Sequence, residues 1–121
     1  MAFVIHVHSG LGPLHYDLML EGAEALATWQ LAVPPTELEA GQSVAARELP
    51  DHRKLYLTYE GPIRNNRGQV EILDHGEYEP LETGDRRWVV LINGRLISGK
   101  FELSRLDPWS VNWEIRRLSE D

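Results

Sequence analysis

Residues 3–21 have the sequence FVIHVHSGLGPLHYDLMLE, in which two alternating segments flank a glycine-rich turn. Residues 3–8 place apolar side chains at every odd position and two histidines at even positions. Because successive side chains of a β-strand point to opposite faces, this alternation predicts a half-buried strand. Residues 15–21 alternate in the same way, and the glycines and proline between the two segments favour a turn. We therefore predict an antiparallel hairpin at the start of the chain.

Short segments with strand character recur along the rest of the chain, separated by Gly, Pro and Asn residues that favour turns. We predict further strands at residues 27–33, 54–60, 69–73, 87–92, 95–98, 100–105 and 113–118. Asn93-Gly94 predicts a two-residue hairpin turn, and the double proline predicts a helical turn over residues 34–39. The expected fold class is mostly β: a small closed or nearly closed antiparallel β-barrel with little helix, which removes exposed strand edges.

The composition limits the number of domains and the kinds of metal ligand. With 121 residues and 42% hydrophobic content, we expect residues 1–121 to form a single domain with one core. The absence of cysteine leaves His, Asp and Glu as metal ligands. The net charge of -7 argues against a broad grip on duplex DNA, although a local basic patch is compatible with it. Without a basic leader or a long apolar run, we expect a soluble, cytoplasmic protein with no membrane span.

Histidines and an acid cluster within the predicted hairpin. If His8 lies opposite His15, the same antiparallel register places His6 opposite Asp17, with opposed Cβ atoms roughly 4.5–5.5 Å apart. Two histidines and one aspartate suit Mn²⁺, Fe²⁺ or Zn²⁺, and an open site of this kind polarises a phosphoryl oxygen or activates water. We predict that His8, His15 and Asp17 bind a metal ion. The alternative is a surface hairpin whose histidines form local hydrogen bonds.

A second group of charged side chains follows at residues 51–54, which read DHRK and lie close to Tyr56 in the sequence. Here His52 could protonate a leaving oxygen, and Arg53 or Lys54 could neutralise charge on a phosphate. The alternative is a turn whose charges are simply solvated.

The four tryptophans also have two interpretations. Exposed indoles stack on unpaired bases, whereas in so small a domain most tryptophans are expected in the core. They are Trp29, Trp88, Trp109 and Trp113.

Six short segments occur along the chain in an order that is unlikely to arise by chance. They are FVIHVH (3–8), LHYDLMLE (14–21), WQLAVP (29–34), DH (51–52), YEG (59–61) and DHGEYEP (74–80). Over residues 3–103, this order resembles the 3′-phosphoesterase domain of bacterial DNA ligase D and its stand-alone relatives. The resemblance implies a small β-barrel that removes a 3′-terminal ribonucleotide or 3′-phosphate from a primer strand and leaves a 3′-hydroxyl, in DNA end healing and non-homologous end joining.

The resemblance also implies a cofactor and partners. It places metal ligands at His8, His15 and Asp17, in agreement with the spacing argument, and it implies Mn²⁺, with Zn²⁺ or another divalent ion as an alternative. The substrates would be DNA or RNA-terminated DNA 3′ ends. A DNA ligase or polymerase encoded separately would be a partner, and we expect the chain to be a monomer.

Further site residues follow from the same resemblance. His52 matches the family's second functional histidine, a phosphate ligand or acid, and Tyr56 matches a tyrosine four residues beyond it. Arg47 stands in for a phosphate-binding arginine. The pattern departs from the ligase domains at Met19, where they carry arginine, and in a turn before His15 that is one residue longer. Because the first strand begins at Phe3, we also expect their N-terminal arm to be absent.

Two other functions are compatible with these residues. One is a nucleic-acid-end binding module that keeps the barrel but has no turnover. The other is a facial-triad Fe(II) oxygenase in which His15 and Asp17 are joined by His52 or His75. The short chain and the ligase-type motifs argue against the oxygenase.

Overall fold

The computed structural model describes residues 1–119, which form nine β-strands and two short 3₁₀ turns. The strands are β1 (Ala2–Ser9), β2 (His15–Glu21), β3 (Leu26–Leu31), β4 (Ser43–His52), β5 (Gly61–Pro62), β6 (Gln69–Glu82), β7 (Arg87–Gly94), β8 (Ser98–Arg105) and β9 (Asn112–Arg117). The 3₁₀ turns lie at Pro35–Glu37 and Lys54–Leu57. Neither helical turn in this part of the chain has the length or the apolar character to cross a membrane.

Eight of the strands close into a barrel in the order β1-β2-β3-β4-β9-β8-β7-β6, with every neighbouring pair antiparallel. Closure comes from β1, which pairs with β2 along one edge and with β6 along the other. The short β5 pairs with the beginning of β6 outside this ring. A closed ring leaves no unpaired edge among the eight strands. The predicted fold class, a small closed antiparallel β-barrel with little helix, is therefore confirmed.

The β1–β2 hairpin has the register that the sequence predicts. His8 lies opposite His15, and His6 lies opposite Asp17. The same row continues across the sheet, because Asp17 lies opposite Gln30 of β3. Directly opposed residues on neighbouring strands share a face of the sheet. The candidate metal ligands therefore lie side by side on one face of the barrel wall.

That face is the outside of the barrel, because the other face of the same strands forms the core. Phe3 and Ile5 of β1 point inward and pack in the main core. The large side chains of this core include Leu18, Leu20, Trp29, Phe101, Leu103, Trp113 and Ile115. Burying a single side chain of this size stabilises the fold by about 1.5–3 kcal/mol. The polar row that contains His6 and Asp17 therefore lies on the outer face.

A second apolar cluster covers part of the outer face. Val4, Met19 and Leu26 are buried there, and Tyr56 and Leu57 pack over them from the second 3₁₀ turn. The first half of β1 is consequently buried on both faces, whereas the sequence predicts a half-buried strand. The covering segment converts the outer wall of the barrel into the floor of a cleft.

One strand prediction is wrong in this region, and one strand was not predicted. The segment predicted as a strand at 54–60 begins with the 3₁₀ turn Lys54–Leu57 instead. The strand Ser43–His52 was not predicted, because only Ala46 is fully buried along it and it has no apolar alternation to detect. Backbone pairing with β3 and β9, and not side-chain burial, defines this strand.

The β7–β8 connection also differs from the prediction. Strand β7 continues through Asn93-Gly94, and the chain turns at residues 95–97, so the predicted strand 95–98 is wrong. The cause is the buried Asp74, whose carboxylate accepts hydrogen bonds of 2.8–3.0 Å from the backbone N–H groups of Arg95, Leu96 and Ile97. A Cβ atom at Gly94 would lie only 2.6 Å from Asp74 Oδ2, so glycine is required beside this turn.

Candidate metal centre and adjacent cleft

The three predicted metal ligands converge at one end of the β1–β2 hairpin. His8 Nδ1 lies 3.5 Å from Asp17 Oδ2, and His15 Nε2 lies 3.7 Å from Asp17 Oδ1. One candidate ligand atom from each residue lies within 4.8 Å of the other two. His15 and Asp17 are buried, and His8 is half-buried. The structure therefore brings together the three residues that the sequence predicts as ligands.

Backbone carbonyl groups orient both imidazole rings. The Nε2 atom of His8 donates to the carbonyl oxygen of Arg67 at 2.7 Å, and Nδ1 of His15 donates to that of Pro13 at 3.2 Å. In a neutral imidazole, the second nitrogen then carries the lone pair. These lone pairs are His8 Nδ1 and His15 Nε2, the two atoms that face Asp17. Metal-binding histidines commonly have their other N–H held by a carbonyl group in this way.

The cluster has the chemistry that a divalent cation requires. Asp17 Oδ1 is buried and has no hydrogen-bond partner among residues 1–119. Burial raises the pKa of Asp17, and the nearby His15 and His8 oppose that change. When both rings are neutral, two imidazole lone pairs and a buried carboxylate oxygen thus converge at one point. These residues fit a metal site with two nitrogen ligands and one oxygen ligand.

A cleft of about 380 Å³ opens next to His8 and Asp17. Its polar lining consists of His6, His8, Asp17, Asp51, His52, Arg53, Tyr56 and Arg67. The predicted residues His52, Tyr56 and Arg53 therefore lie in one cleft with two of the candidate ligands. His52 Nδ1 donates to the carbonyl oxygen of Pro50 at 2.9 Å, which leaves its Nε2 atom for other partners.

Two arginines contribute positive charge to the cleft, which Asp17 and Asp51 also line. Arg53 and Arg67 are both exposed, and neither has a carboxylate partner within ion-pair distance among the described residues. Sequence reasoning missed Arg67, although the Asn65-Asn66 step before it does indicate a turn. Its proximity to His8 depends on the pairing of β1 with β6, which no local pattern reveals. An arginine pair of this kind suits a phosphate group.

The structure places two other predicted residues outside this cleft. Lys54 Nζ lies 3.5 Å from a carboxylate oxygen of Glu21. Arg47 lines a separate groove together with His15, Gln30 and Leu14. The candidate ligands therefore lie between two depressions, the cleft on the His8 side and this groove on the His15 side.

His6 is a cleft residue to which sequence reasoning assigned no role. It is 1% exposed, and its Nε2 atom has no hydrogen-bond partner among residues 1–119. Burial, assisted by the nearby His52, lowers the pKa of His6 from 6.5 to about 4. The ring is therefore a neutral imidazole near neutral pH, and it contacts Tyr56 edge to face at 6.3 Å between ring centroids. By contrast, His75 is exposed and does not line the cleft.

The fold and this site define a class of protein: a small antiparallel β-barrel with a candidate His-His-Asp metal centre on its outer wall. Comparison with protein-family models identifies the family, because the DNA ligase D 3′-phosphoesterase domain matches residues 5–105. The chain belongs to this family, which supports a hydrolase role of the phosphoesterase type at nucleic-acid ends in DNA repair. A comparison with curated proteins gave no significant match.

Proposed function

We propose that residues 1–121 act as one metal-dependent phosphoesterase domain that trims 3′-terminal ribonucleotides or 3′-phosphates from nucleic-acid ends and leaves 3′-hydroxyls. The observation that carries this proposal is the convergence of His8, His15 and Asp17 beside a cleft that is also lined by two arginines, Arg53 and Arg67. Membership of the 3′-phosphoesterase family supports the reaction class. The domain would work as a cytoplasmic monomer in DNA end healing and non-homologous end joining, alongside a DNA ligase or polymerase encoded separately.

In this proposal, His8 Nδ1, His15 Nε2 and the Asp17 carboxylate hold the metal ion, Mn²⁺ or alternatively Zn²⁺. When bound, the ion supplies Lewis acidity toward a phosphoryl oxygen and lowers the pKa of a bound water. The carbonyl groups of Arg67 and Pro13 keep the two rings in the tautomers that present lone pairs. The ligands are thus oriented before any substrate arrives.

Other cleft residues bind and protonate the substrate. Arg53 and Arg67 neutralise the phosphate through charge-assisted hydrogen bonds. In its protonated form, His52 donates from Nε2 to the leaving oxygen, because its Nδ1 atom is already held by the Pro50 carbonyl group. The Tyr56 hydroxyl donates to a phosphate oxygen. Tyr56 is fixed by edge-to-face contacts with both His6 and His52.

Two further cations have roles that depend on movement or on a longer substrate. Arg47 would reach the substrate from the groove on the His15 side. Lys54 would bind phosphate only after it leaves Glu21. Both assignments remain predictions.

A second candidate function is an end-binding module without turnover. Met19 lies where the ligase domains carry arginine, and here it is buried in the outer apolar cluster beneath the cleft. One phosphate contact of the ligase domains is consequently absent, and the loss of a contact that strengthens in the transition state lowers turnover more than binding.

An end-processing assay with a labelled primer–template distinguishes the phosphoesterase from the end-binding module. Purified protein is incubated with a labelled primer–template that ends in a 3′-phosphate or a 3′-terminal ribonucleotide, with Mn²⁺ or with a chelator. His15→Ala should abolish metal-dependent conversion to the 3′-hydroxyl, whereas the exposed His75→Ala serves as a matched control and should retain it. Unchanged turnover in His15→Ala would reject the ligand assignment. Binding without conversion in the wild type would favour the end-binding module.

A further inference from the structure

Trp109 differs from the other three tryptophans in its exposure. Trp29 and Trp113 are each 1% exposed and Trp88 is half-buried, whereas Trp109 is 98% exposed. An indole is a large apolar group, and one that stays fully in water does not stabilise the fold as a buried one would. An isolated exposed apolar residue is common, so the exposure alone does not assign a role. The loop that presents it gives the second observation.

The loop between β8 and β9 is a fixed turn. Leu106 N–H donates to the Asn112 carbonyl oxygen at 2.9 Å, and Ser110 N–H donates to that of Asp107 at 3.2 Å. The Arg105 guanidinium also donates to the Ser110 carbonyl oxygen. Within this turn, Trp109 has a φ of 67°, in the left-handed region that residues other than glycine rarely adopt. The backbone therefore holds the indole outward in a strained conformation.

The end of this turn is hydrogen-bonded to the strand that contributes one wall of the cleft. The Val111 carbonyl oxygen accepts a 2.8 Å hydrogen bond from Glu48 N–H of β4. The next residues of β4, Leu49 and Pro50, line the cleft. Neighbouring backbone segments that are hydrogen-bonded in this way lie about 5 Å apart. The Trp109 turn is therefore a close neighbour of the site that we propose for the 3′ end.

A polar row also connects the metal centre with this turn along the outer face of the barrel. Asp17 lies opposite Gln30, Gln30 opposite Arg47, and Arg47 opposite Asn112, the first residue of β9. Three strand spacings give this row a length of about 14 Å, comparable to about four stacked nucleotide steps. Arg47 is exposed and has no ion-pair partner in the part of the chain that the structure describes.

We propose that Trp109 stacks on an unpaired base of the same nucleic-acid strand whose 3′ end occupies the cleft, with the row Gln30, Arg47 and Asn112 along the path of that strand. The proposal rests on the proposed function, since it takes the cleft as the site of the 3′ end. A base inside a duplex offers no free face to an indole, so Trp109 adds affinity only for 3′ ends that have unpaired nucleotides next to them. Stacking also suits a chain with a net charge of -7, because it needs no extended cationic surface.

Binding of a short labelled single-stranded DNA with a 3′-phosphate tests this inference in the presence of a chelator, so that turnover does not contribute. Trp109→Ala should weaken binding about tenfold, and Trp109→Phe, which keeps an aromatic face, should retain most of the affinity. Leu96→Ala is the matched control, because Leu96 is 65% exposed and does not line the cleft. A blunt duplex with the same 3′-phosphate should bind wild type and Trp109→Ala equally.

Equal binding of the single strand by wild type and Trp109→Ala would overturn the inference. A second result would also overturn it: the wild type self-associates, Trp109→Ala does not, and both bind DNA equally. The turn would then be a contact between two copies of this chain. Failure of the proposed function is distinguishable from both results. It would appear as Trp109-dependent binding of the single strand with no Mn²⁺-dependent product in the wild type.

Discussion

Replacing His6 with glutamine should remove a specific part of the pH dependence of stability. Burial, assisted by His52, lowers the pKa of His6 to about 4 in the folded protein, whereas an unfolded chain has a histidine pKa of about 6.5. Between these two pH values the unfolded state binds the extra proton. Stability from the neutral His6 is therefore present above pH ~6.5, is lost as the pH falls toward ~4, and does not change further below that value.

The size of the effect follows from the two pKa values. They differ by about 2.5, and each unit corresponds to about 1.36 kcal/mol, so His6 accounts for a loss of about 3 kcal/mol between pH ~6.5 and ~4. Urea unfolding of chelator-treated protein at several pH values measures the free energy of unfolding without a contribution from metal binding. As the pH falls from ~6.5 to ~4, the free energy of unfolding of the wild type should decrease by about 3 kcal/mol more than that of His6→Gln.

The exposed His75 provides the control. The free energy of unfolding of His75→Gln should fall with pH in parallel with that of the wild type, because His6 is unchanged in this variant. If His6→Gln and the wild type lost stability in parallel, the reasoning that His6 is held neutral by burial would be refuted.

Other substitutions test the turn and the cleft. Asp74→Asn should lower the free energy of unfolding by about 3 kcal/mol, because an amide cannot accept all the backbone N–H bonds that the carboxylate holds; a loss below about 1 kcal/mol in urea unfolding would contradict this. Gly94→Ala should cost about 2 kcal/mol or more, since its Cβ would lie 2.6 Å from Asp74 Oδ2, and a shift of the urea midpoint measures it. Arg53→Ala should weaken binding of a 3′-phosphate oligonucleotide about tenfold. Lys54→Ala should weaken it less, because Lys54 already pairs with Glu21. A larger loss of affinity in Lys54→Ala than in Arg53→Ala would contradict the assignment of the cleft as the phosphate site.

Local patterns were sufficient to predict the part of the site that lies within one hairpin. The alternation of residues 3–8 and 15–21, with one short turn between them, fixes which side chains lie opposite each other. If His8 lies opposite His15, the same antiparallel register places His6 opposite Asp17, and the structure has both pairs.

Features that depend on distant segments were not predictable in this way. The second 3₁₀ turn packs Tyr56 and Leu57 over the outer face, and this long-range contact buries His6 and forms the cleft. Arg67 approaches His8 only because β6 pairs with β1. The buried Asp74 overrides the local preference of Asn93-Gly94 for a two-residue turn. In each case a contact between residues far apart in sequence determines the local geometry.

The dependence of the single-turnover rate on Mn²⁺ concentration, with a primer that ends in a 3′-phosphate, tests the central claim most directly. Wild type and His15→Ala are compared over the same range of Mn²⁺. We predict a rate that rises and saturates with Mn²⁺ in the wild type, with no product from His15→Ala at any concentration. A His15→Ala protein that reached the wild-type rate at saturating Mn²⁺, or a wild-type rate that did not respond to chelation, would contradict the assignment of His8, His15 and Asp17 as the catalytic metal site.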